Sequence, residues 1–188
     1  MKIGILGGTF NPIHIGHLIL AEEVWEKLAL DKIIFVPTYL PPHKDDADIA
    51  LAQDRYAMVK LAIRKNRKFL VSDIEIKRDG RSYTIDTIKE LKKIYPKDEL
   101  YFIIGSDLVN YLGEWKDLEE ITKLVKFIVA TRPGYPLEKI PTYISTIAIR
   151  AVDISGFEIR KNIRENKSFR YLVPESVYRY IIKKKLYR

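Results

Sequence analysis

The stretch Gly7-Gly8-Thr9-Phe10-Asn11-Pro12-Ile13-His14-Ile15-Gly16-His17 decides the fold of this chain. It follows a short apolar run, Ile3-Gly4-Ile5-Leu6, which predicts a buried strand, and it leads into Leu18–Leu28, whose pattern predicts a helix. A glycine-rich turn between a strand and a helix brings backbone N–H groups and a helix N-terminus to a phosphate. Two of the chain's three histidines lie in this turn. We therefore predict a nucleotide site at this position.

Apolar runs typical of strands recur along the chain and alternate with amphipathic helical patterns. The predicted strands are Lys2–Leu6, Lys32–Val36, Phe69–Ile76, Leu100–Ile104, Lys126–Thr131 and Ser145–Val152. The predicted helices are Leu18–Leu28, Gln53–Arg64, Ile85–Ile94 and Asp117–Leu124, with one more starting near Ser155–Glu158 and another after Pro174. This alternation predicts an α/β fold, a doubly wound and mainly parallel sheet flanked by helices. We expect a single domain over residues 1–188 with a C-terminal helical part from about residue 155.

The composition is that of an ordinary globular protein, with 47% hydrophobic and 31% charged residues. No apolar run approaches the roughly 20 residues of a membrane span, and Met1 leads almost directly into a strand without a signal-peptide pattern. We therefore expect a cytoplasmic enzyme with no membrane partner. The absence of cysteine excludes disulfides, thiolate metal sites and thiol nucleophiles.

The net charge of +8 has two interpretations. It indicates either a surface for nucleic acid or another polyanion, or a lysine-rich surface with a phosphate-binding cleft. The second is favoured because the lysines are scattered and the only dense run, Lys183-Lys184-Lys185, lies near the C-terminus. No stripe of basic and aromatic residues of the single-strand-binding type is present, so we expect no nucleic-acid partner.

In a doubly wound sheet, ligands bind beyond the carboxyl ends of the strands, at the point where the strand order reverses. This rule selects the loops that follow the predicted strands, and their polar residues should converge. The selected segments are Gly7–His17, Pro37–Lys44, Gly105–Asp107, Thr131–Gly134 and Asp153–Arg160.

The pair His14 and His17 allows three interpretations. The histidines cap a helix or fill the core, they bind a metal, or they contact a phosphate. A metal pair would need further ligands nearby, and none are present. Imidazole N–H groups can donate to phosphoryl oxygens, and Gly16 would let a phosphate come close. The chain lacks both the Gly-x-Gly-x-x-Gly dinucleotide pattern and the Gly-x-x-x-x-Gly-Lys-Ser/Thr pattern, which argues against a dehydrogenase and a P-loop enzyme.

The motif Gly7–His17 resembles the first motif of the nucleotidyltransferases with the His-x-Gly-His signature, and the match is nearest to the bacterial nicotinate-nucleotide adenylyltransferases. Further stretches, spread over nearly the whole chain, carry the same resemblance. They are Pro37-x-x-x-Pro41-Pro42-His43-Lys44, Arg55-x-x-Met58, Ser82-Tyr83-Thr84-Ile85-Asp86-Thr87, Phe102-Ile103-Ile104-Gly105-Ser106-Asp107, Trp115, Arg132-Pro133-Gly134-Tyr135, Ile154-Ser155-x-x-x-Ile159-Arg160 and Tyr171-Leu172-Val173-Pro174-Glu175. The resemblance implies a Rossmann-like nucleotidyltransferase fold.

The resemblance also implies a reaction and its partners. The 5′-phosphate of nicotinate mononucleotide attacks the α-phosphorus of ATP, pyrophosphate leaves, and nicotinic acid adenine dinucleotide forms in NAD biosynthesis. The alternative is adenylyl transfer to nicotinamide mononucleotide or to another phosphate acceptor. No carboxylate cluster predicts a metal site in the protein, so we expect Mg²⁺ to arrive with ATP and no tightly bound cofactor. A homo-oligomer is possible.

The ATP side of the implied site comes mainly from the glycine turn and from the loops that follow the last three predicted strands. His14, His17 and Arg160 are the expected catalytic residues, and Arg160 could instead be a solvated helix residue. The expected ATP-binding residues are Gly7, Gly8, Thr9, Phe10, Gly16, Gly105, Asp107, Arg132 and Ser155. Asp107 could instead be a helix N-cap, and Arg132 could pack at the sheet edge.

This chain departs from the family pattern at three positions. Gly156 and Phe157 replace two hydroxyl residues of the usual Ile-Ser-Ser-Thr-x-Ile-Arg form, which puts their share of ATP binding in doubt. Asn11 stands where the family usually has Asp, and we expect this change to be minor because both residues suit turns.

The mononucleotide side of the implied site consists of Lys44, Tyr83, Thr84 and Trp115. Lys44 would contact a phosphate, although the His43-Lys44 loop could be a surface turn. The Ser82-Tyr83-Thr84 segment also fits a helix N-terminal cap, which is compatible with reading the nicotinate carboxylate at Thr84. Trp115 would stack on the pyridine ring or belong to the core.

Overall fold

Six parallel strands form one sheet in the order β3-β2-β1-β4-β5-β6 in a computed structural model that describes residues 1–41, 48–131, 140–150 and 152–188. The strands are β1 Lys2–Gly8, β2 Lys32–Pro37, β3 Phe69–Val71, β4 Glu99–Gly105, β5 Lys126–Thr131 and β6 Ile144–Ala148. The helices are α1 Ile15–Lys27, α2 Ala52–Ile63, α3 Ile74–Arg78, α4 Thr84–Ile94, α5 Leu118–Leu124, α6 Gly156–Arg164 and α7 Glu175–Lys184, and a 3-10 helix spans Ser106–Glu114. The predicted doubly wound parallel sheet is confirmed.

Each face of the sheet has its own hydrophobic core, because successive strand residues point to opposite faces. In β2, Ile33 and Phe35 pack on one face while Ile34 and Val36 pack on the other. The first face is covered by α1, α2, α6 and α7, and the second face is covered by α4, the 3-10 helix and α5. A sheet buried on both faces explains why its central strands are continuous apolar runs rather than alternating ones.

The strand order reverses between β1 and β4, which are direct neighbours. The chain runs from β1 outward through β2 to β3, and then returns to β4 and runs outward through β5 to β6. The connections after β1 and β4 therefore leave in opposite directions and open a crevice at the carboxyl edge. The turns after Gly8 and Gly105 both begin at this crevice, so the topology brings together two of the segments selected from the sequence.

Three predicted boundaries were wrong. The strand predicted over Phe69–Ile76 ends at Val71, and the apolar residues that follow belong to α3, where Glu75 is buried and bound to Thr87 of α4. This contact joins distant parts of the chain, so no local pattern reveals it. Helix α1 starts at Ile15, three residues before the predicted start, and β6 ends at Ala148 rather than Val152.

Helices α6 and α7 complete the first face of the sheet. Ile159 and Ile163 of α6, with Val177 and Ile181 of α7, are buried in the same core cluster as α1 and α2. Within the described ranges, no helix is long and apolar enough to cross a membrane.

Candidate active site

His17, the second histidine of the glycine turn, lies on α1 and helps to cap the start of that helix. His14 is the N-cap residue, and its backbone N–H donates to Nδ1 of His17 over 3.2 Å. His17 thus takes the part that Glu or Gln plays in a capping box. Its ring also lies edge-on to Phe10, with centroids 5.1 Å apart, and 3.7 Å from the ring of His14. Because Nδ1 accepts a hydrogen bond, a neutral His17 carries its ring proton on Nε2. Capping and phosphate contact are therefore compatible roles for this side chain.

Gly16 allows close packing between the turn and the chain that follows β6. A Cβ atom at position 16 would lie 3.1 Å from Nδ1 of His14 and 3.6 Å from Cγ2 of Val152. The first distance is tighter than most Cβ contacts, so a side chain would displace the His14 ring. The glycine predicted to let a phosphate approach also sets the position of His14.

The second predicted phosphate element, α6, lies directly against the first. Ser155 is the N-cap of α6, and its hydroxyl accepts from the N–H of Glu158 over 3.1 Å. Arg160, one turn into the helix, donates from Nη1 to the carbonyl oxygen of Asn11 over 2.8 Å. Its side chain is only 14% exposed, so the alternative of a solvated arginine was wrong.

The departure at Gly156 has a steric reason in this chain. A Cβ at position 156 would lie 2.9 Å from the carbonyl oxygen of Asn11, closer than real Cβ atoms come to backbone. The glycine therefore lets the N-terminus of α6 approach the turn. Phe157 is exposed, and its ring centroid lies 6.0 Å from the guanidinium carbon of Arg160.

Asp48 is a site residue that the sequence analysis missed. Its Oδ2 accepts from Nε of Arg160 over 3.1 Å, and its Oδ1 accepts from Nη1 of Arg164 over 2.5 Å. These hydrogen bonds, that of Arg164 first, hold the pKa of the Asp48 carboxyl below its ordinary value. The two partners lie more than 110 residues away along the chain, so no local pattern could reveal the cluster.

Asn11 ties the glycine turn to the segment that carries Asp48. Its Nδ2 donates to the carbonyl oxygen of Asp48 over 2.8 Å, and its Oδ1 accepts from the N–H of Ala50 over 3.1 Å. An aspartate could accept the second bond but could not donate the first. The Asn11 side chain therefore does more here than suit a turn.

Arg55 on α2 binds two loops from below the site. Its side chain is 1% exposed, and it donates from Nε to Ala50, from Nη1 to Thr9 and from Nη2 to Tyr39, in each case to the carbonyl oxygen and over 2.8 to 2.9 Å. Burial lowers the pKa of the guanidinium. Arg55 thus joins the loops after β1 and β2 to the start of α2, which gives its motif a structural role.

The nicotinate-side residues lie at the start of α4, on the second face of the sheet. Tyr83 is the N-cap residue and Thr84 is the first helical residue, but no side chain caps the helix, so that part of the prediction was wrong. The hydroxyl of Ser82 instead accepts from the N–H of Tyr39 over 2.9 Å. The first turn of α4 thus keeps backbone N–H groups oriented for an anion.

Trp115 lies beside this helix start and is half-buried. Its ring packs edge-on against Phe102, with centroids 5.8 Å apart, and a Cβ at Gly7 would lie 3.6 Å from that same phenylalanine ring. The neighbouring Lys116 places Nζ 4.9 Å from the ring centroid of Tyr83. These contacts connect the Trp115 segment both to the glycine turn and to the N-terminus of α4.

A buried carboxylate supports the α4 segment. Glu75 is 5% exposed and accepts from the hydroxyl of Thr87 over 2.5 Å. Burial raises the pKa of Glu75, and hydrogen bonds from Thr87 and Ser82 act in the opposite direction. Glu75 therefore holds the Thr87 hydroxyl of this segment from beneath.

At the end of β4, the chain turns directly into the 3-10 helix. Gly105 is its N-cap residue and Asp107 lies in its first turn, so the alternative of Asp107 as an N-cap was wrong. The carboxylate of Asp107 folds back over Gly105, where an added Cβ would collide with Oδ1. Asp107 is exposed at the crevice, where a ribose hydroxyl could reach it.

Three predicted residues, His43, Lys44 and Arg132, lie outside the described residues. Within residues 1–41, 48–131, 140–150 and 152–188, no group of three or more His, Cys, Asp or Glu could hold a metal ion. The other predicted site residues lie at the carboxyl edge of the sheet, with direct contact between the turn and α6.

Comparison with known proteins gives the same fold and one family. The model of the cytidylyltransferase-like family matches residues 5–162. The chain is 46% identical to a "probable nicotinate-nucleotide adenylyltransferase" of Desulfitobacterium hafniense, covering 100% of this chain and 96% of that protein. It is 43% identical to a protein of the same name from Thermus thermophilus, with 100% of both covered. A solved structure of Plasmodium falciparum nicotinic acid mononucleotide adenylyltransferase complexed with NaAD superposes with a TM-score of 0.81 at 23% identity, over 99% of this chain and 97% of that one, and this likeness shows the fold.

We expect Arg55→Met to destabilise the protein by about 3 kcal/mol, because three partly buried carbonyl groups lose their donor while the apolar volume is largely kept. Urea unfolding followed by circular dichroism would measure this change. Arg64→Met, at an exposed position following the same helix, is the matched control and should change stability by less than about 0.5 kcal/mol. Equal unfolding midpoints for the two variants would contradict the role given to Arg55.

Proposed function

The chain belongs to the cytidylyltransferase-like family and, within it, to the nicotinate-nucleotide adenylyltransferases, and we propose from this premise that it transfers the adenylyl group of ATP to nicotinate mononucleotide. The products are nicotinic acid adenine dinucleotide and pyrophosphate, and the reaction belongs to NAD biosynthesis. The proposed catalytic unit is a single domain over residues 1–188.

The observation that carries this proposal is the contact between the two phosphate elements. The Nη1 of Arg160 lies 2.8 Å from the carbonyl oxygen of Asn11, within the turn that also holds His14 and His17. The two elements are separated by more than 140 residues in the chain. Imidazole and guanidinium donors at one end of a glycine-rich turn suit a site where two phosphate groups meet.

In the proposed reaction, an oxygen of the mononucleotide 5′-phosphate attacks the α-phosphorus of ATP in line. The new bond joins these two atoms, and the bond from the α-phosphorus to the bridging oxygen of pyrophosphate breaks. No protein nucleophile takes part, in keeping with a chain that has no cysteine. Catalysis of this kind rests on positioning and on stabilising charge. His14 and His17 would donate to phosphoryl oxygens of the transition state.

The triphosphate of ATP would extend from the turn toward α6. The backbone of Gly7, Gly8, Thr9 and Phe10, with Gly16, would border the α-phosphate, and Ser155 and Arg160 would bind the phosphates of the leaving group. Gly105 and Asp107 would contact the ribose, and Arg132 the adenine or the phosphates. Mg²⁺ bound to the ATP phosphates would neutralise part of their charge.

The nicotinate ring and its carboxylate would bind on the second face of the sheet. Thr84, at the first turn of α4, would bind the nicotinate carboxylate, with Tyr83 beside it. Trp115 would stack on the pyridine ring, and Lys44 would contact a phosphate. A site with N–H and hydroxyl donors around a carboxylate discriminates against the amide, which lacks the charge. A homo-oligomer and a cytoplasmic location stay predictions.

The proposed function is tested by pyrophosphate release from ATP with nicotinate mononucleotide, nicotinamide mononucleotide or phosphopantetheine as acceptor. We expect kcat/KM for the nicotinate form to exceed that for the amide by about 10²-fold or more. An equal or higher kcat/KM for either alternative acceptor would overturn the substrate, and no release with any acceptor would overturn the reaction class.

We expect His17→Ala to lower kcat by about 10²-fold or more, the usual range for loss of a transition-state donor. His17→Asn separates this role from helix capping, because an amide oxygen can still accept the His14 N–H while the Nε2 donor is lost. Steady-state kinetics and thermal unfolding of both variants provide the measurements. An active and folded His17→Asn enzyme would show that His17 serves the helix alone.

We expect Trp115→Ala to raise KM for the mononucleotide about tenfold and KM for ATP much less, because the lost ring stacks on the pyridine. Tyr111→Ala removes an exposed aromatic ring from the nearby 3-10 helix and is the matched control. Initial rates with each substrate varied in turn would measure the split. A rise confined to the KM for ATP would place the tryptophan elsewhere.

A further inference from the structure

Asp48 makes three separate contacts, with the proposed catalytic arginine, with a second arginine of α6 and with the glycine turn. Its two carboxylate oxygens accept from Arg160 and Arg164, and its backbone carbonyl accepts from Nδ2 of Asn11 over 2.8 Å. Asn11 in turn accepts from Nη1 of Arg160 through its own carbonyl. Asp48, Asn11 and Arg160 therefore form a closed triangle of hydrogen bonds at the edge of the glycine turn.

This triangle fixes the plane of the Arg160 guanidinium by binding two of its three nitrogens. Nε is bound to the Asp48 carboxylate at 3.1 Å and Nη1 to the Asn11 carbonyl at 2.8 Å. Within the described part of the chain, the hydrogen bonds of Arg160 use Nε and Nη1. We therefore take the N–H groups of Nη2 as the donors to a ligand oxygen. A guanidinium is planar, and two fixed nitrogens define the direction of the third.

The ion pairs around Asp48 hold Arg160 in place without cancelling the positive charge of the cluster. One carboxylate lies between two guanidinium groups, which leaves a net positive charge in the cluster. The second oxygen is neutralised by Arg164, which lies one turn farther along α6. An anionic ligand at Nη2 would thus face excess positive charge, even with Asp48 in place.

We propose that Asp48 is a positioning residue that holds Arg160 so that Nη2 faces the phosphates of ATP. This inference rests on the proposed function, because it takes ATP as the ligand of α6. Asp48 itself does not touch the nucleotide and acts through the arginine.

Electrostatics and positioning predict opposite results when the Asp48 charge is removed. Loss of a negative charge beside a polyanion site should tighten ATP binding by simple Coulomb attraction. Loss of the group that orients Arg160 should weaken it. We expect Asp48→Ala to raise the Kd of Mg·ATP about tenfold and Asp48→Asn, which keeps an acceptor, about threefold. The Kd of nicotinate mononucleotide should change less than about twofold in both variants.

Titration calorimetry of each ligand alone would measure these constants, so the test does not depend on turnover. Glu165→Gln is the matched control, because it removes the same charge from an exposed pair with Lys167 at the end of α6. Thermal unfolding would show that Asp48→Asn is folded. An unchanged or lower Kd for Mg·ATP in the folded Asp48 variants would overturn the proposal.

A second variant shows whether Asp48 acts through Arg160. In an Arg160→Met background, Asp48→Ala should add no further loss of ATP affinity, whereas an independent role would give the same loss again. These affinity measurements are separate from the pyrophosphate-release test of the proposed function. A wild-type enzyme that releases no pyrophosphate with any acceptor would overturn the function, while the ATP affinities would still decide the role of Asp48.

Discussion

The buried guanidinium of Arg55 is the interaction on which the binding edge of this protein depends. It donates to the carbonyl oxygens of Thr9, after β1, and of Tyr39 and Ala50, at the two ends of the connection between β2 and α2. Buried carbonyl groups need donors, and loops at a sheet edge have few backbone partners of their own. One planar cation with several N–H groups meets this need at a single position. The helix beneath the glycine turn supplies that cation and so ties the backbone of the turn to α2.

A second set of contacts continues from this anchor to the far end of the chain. Asn11 binds the segment at Asp48 and Ala50, and Arg160 binds Asn11 and Asp48. Gly156 lets α6 approach closely enough for these bonds to form. The arginine that would bind ATP phosphates is thus held by the same turn that would border the α-phosphate. Preorganised donors of this kind stabilise developing charge without having to reorient during the reaction.

The opposite wall of the crevice is built on the other face of the sheet and by other means. Glu75, buried beneath α4, accepts from Thr87, and Ser82 accepts from the loop after β2. Trp115 packs on Phe102, whose ring lies beside Gly7. The two faces have separate cores, and described residues of both faces border the crevice at the carboxyl edge, where β1 and β4 are neighbours. A reaction between two nucleotides suits such a junction, because each substrate can bind mainly to one side.

The sequence by itself determined the class of fold, the strand that leads into the glycine turn, and the contact region of the glycine turn and α6 at the carboxyl edge. These follow from local rules: apolar periodicity, glycine and proline positions, and the parallel arrangement that βαβ connections require. Only the tertiary structure decided how the side chains are used. The Ser82 hydroxyl accepts from a loop N–H instead of capping α4, and Glu75 is buried in a helix where a strand was predicted. Asp48 pairs with two arginines more than 110 residues away. The physical reason is that a hydrogen bond or an ion pair depends on distance in space, and a local sequence pattern carries no information about which distant group will be there.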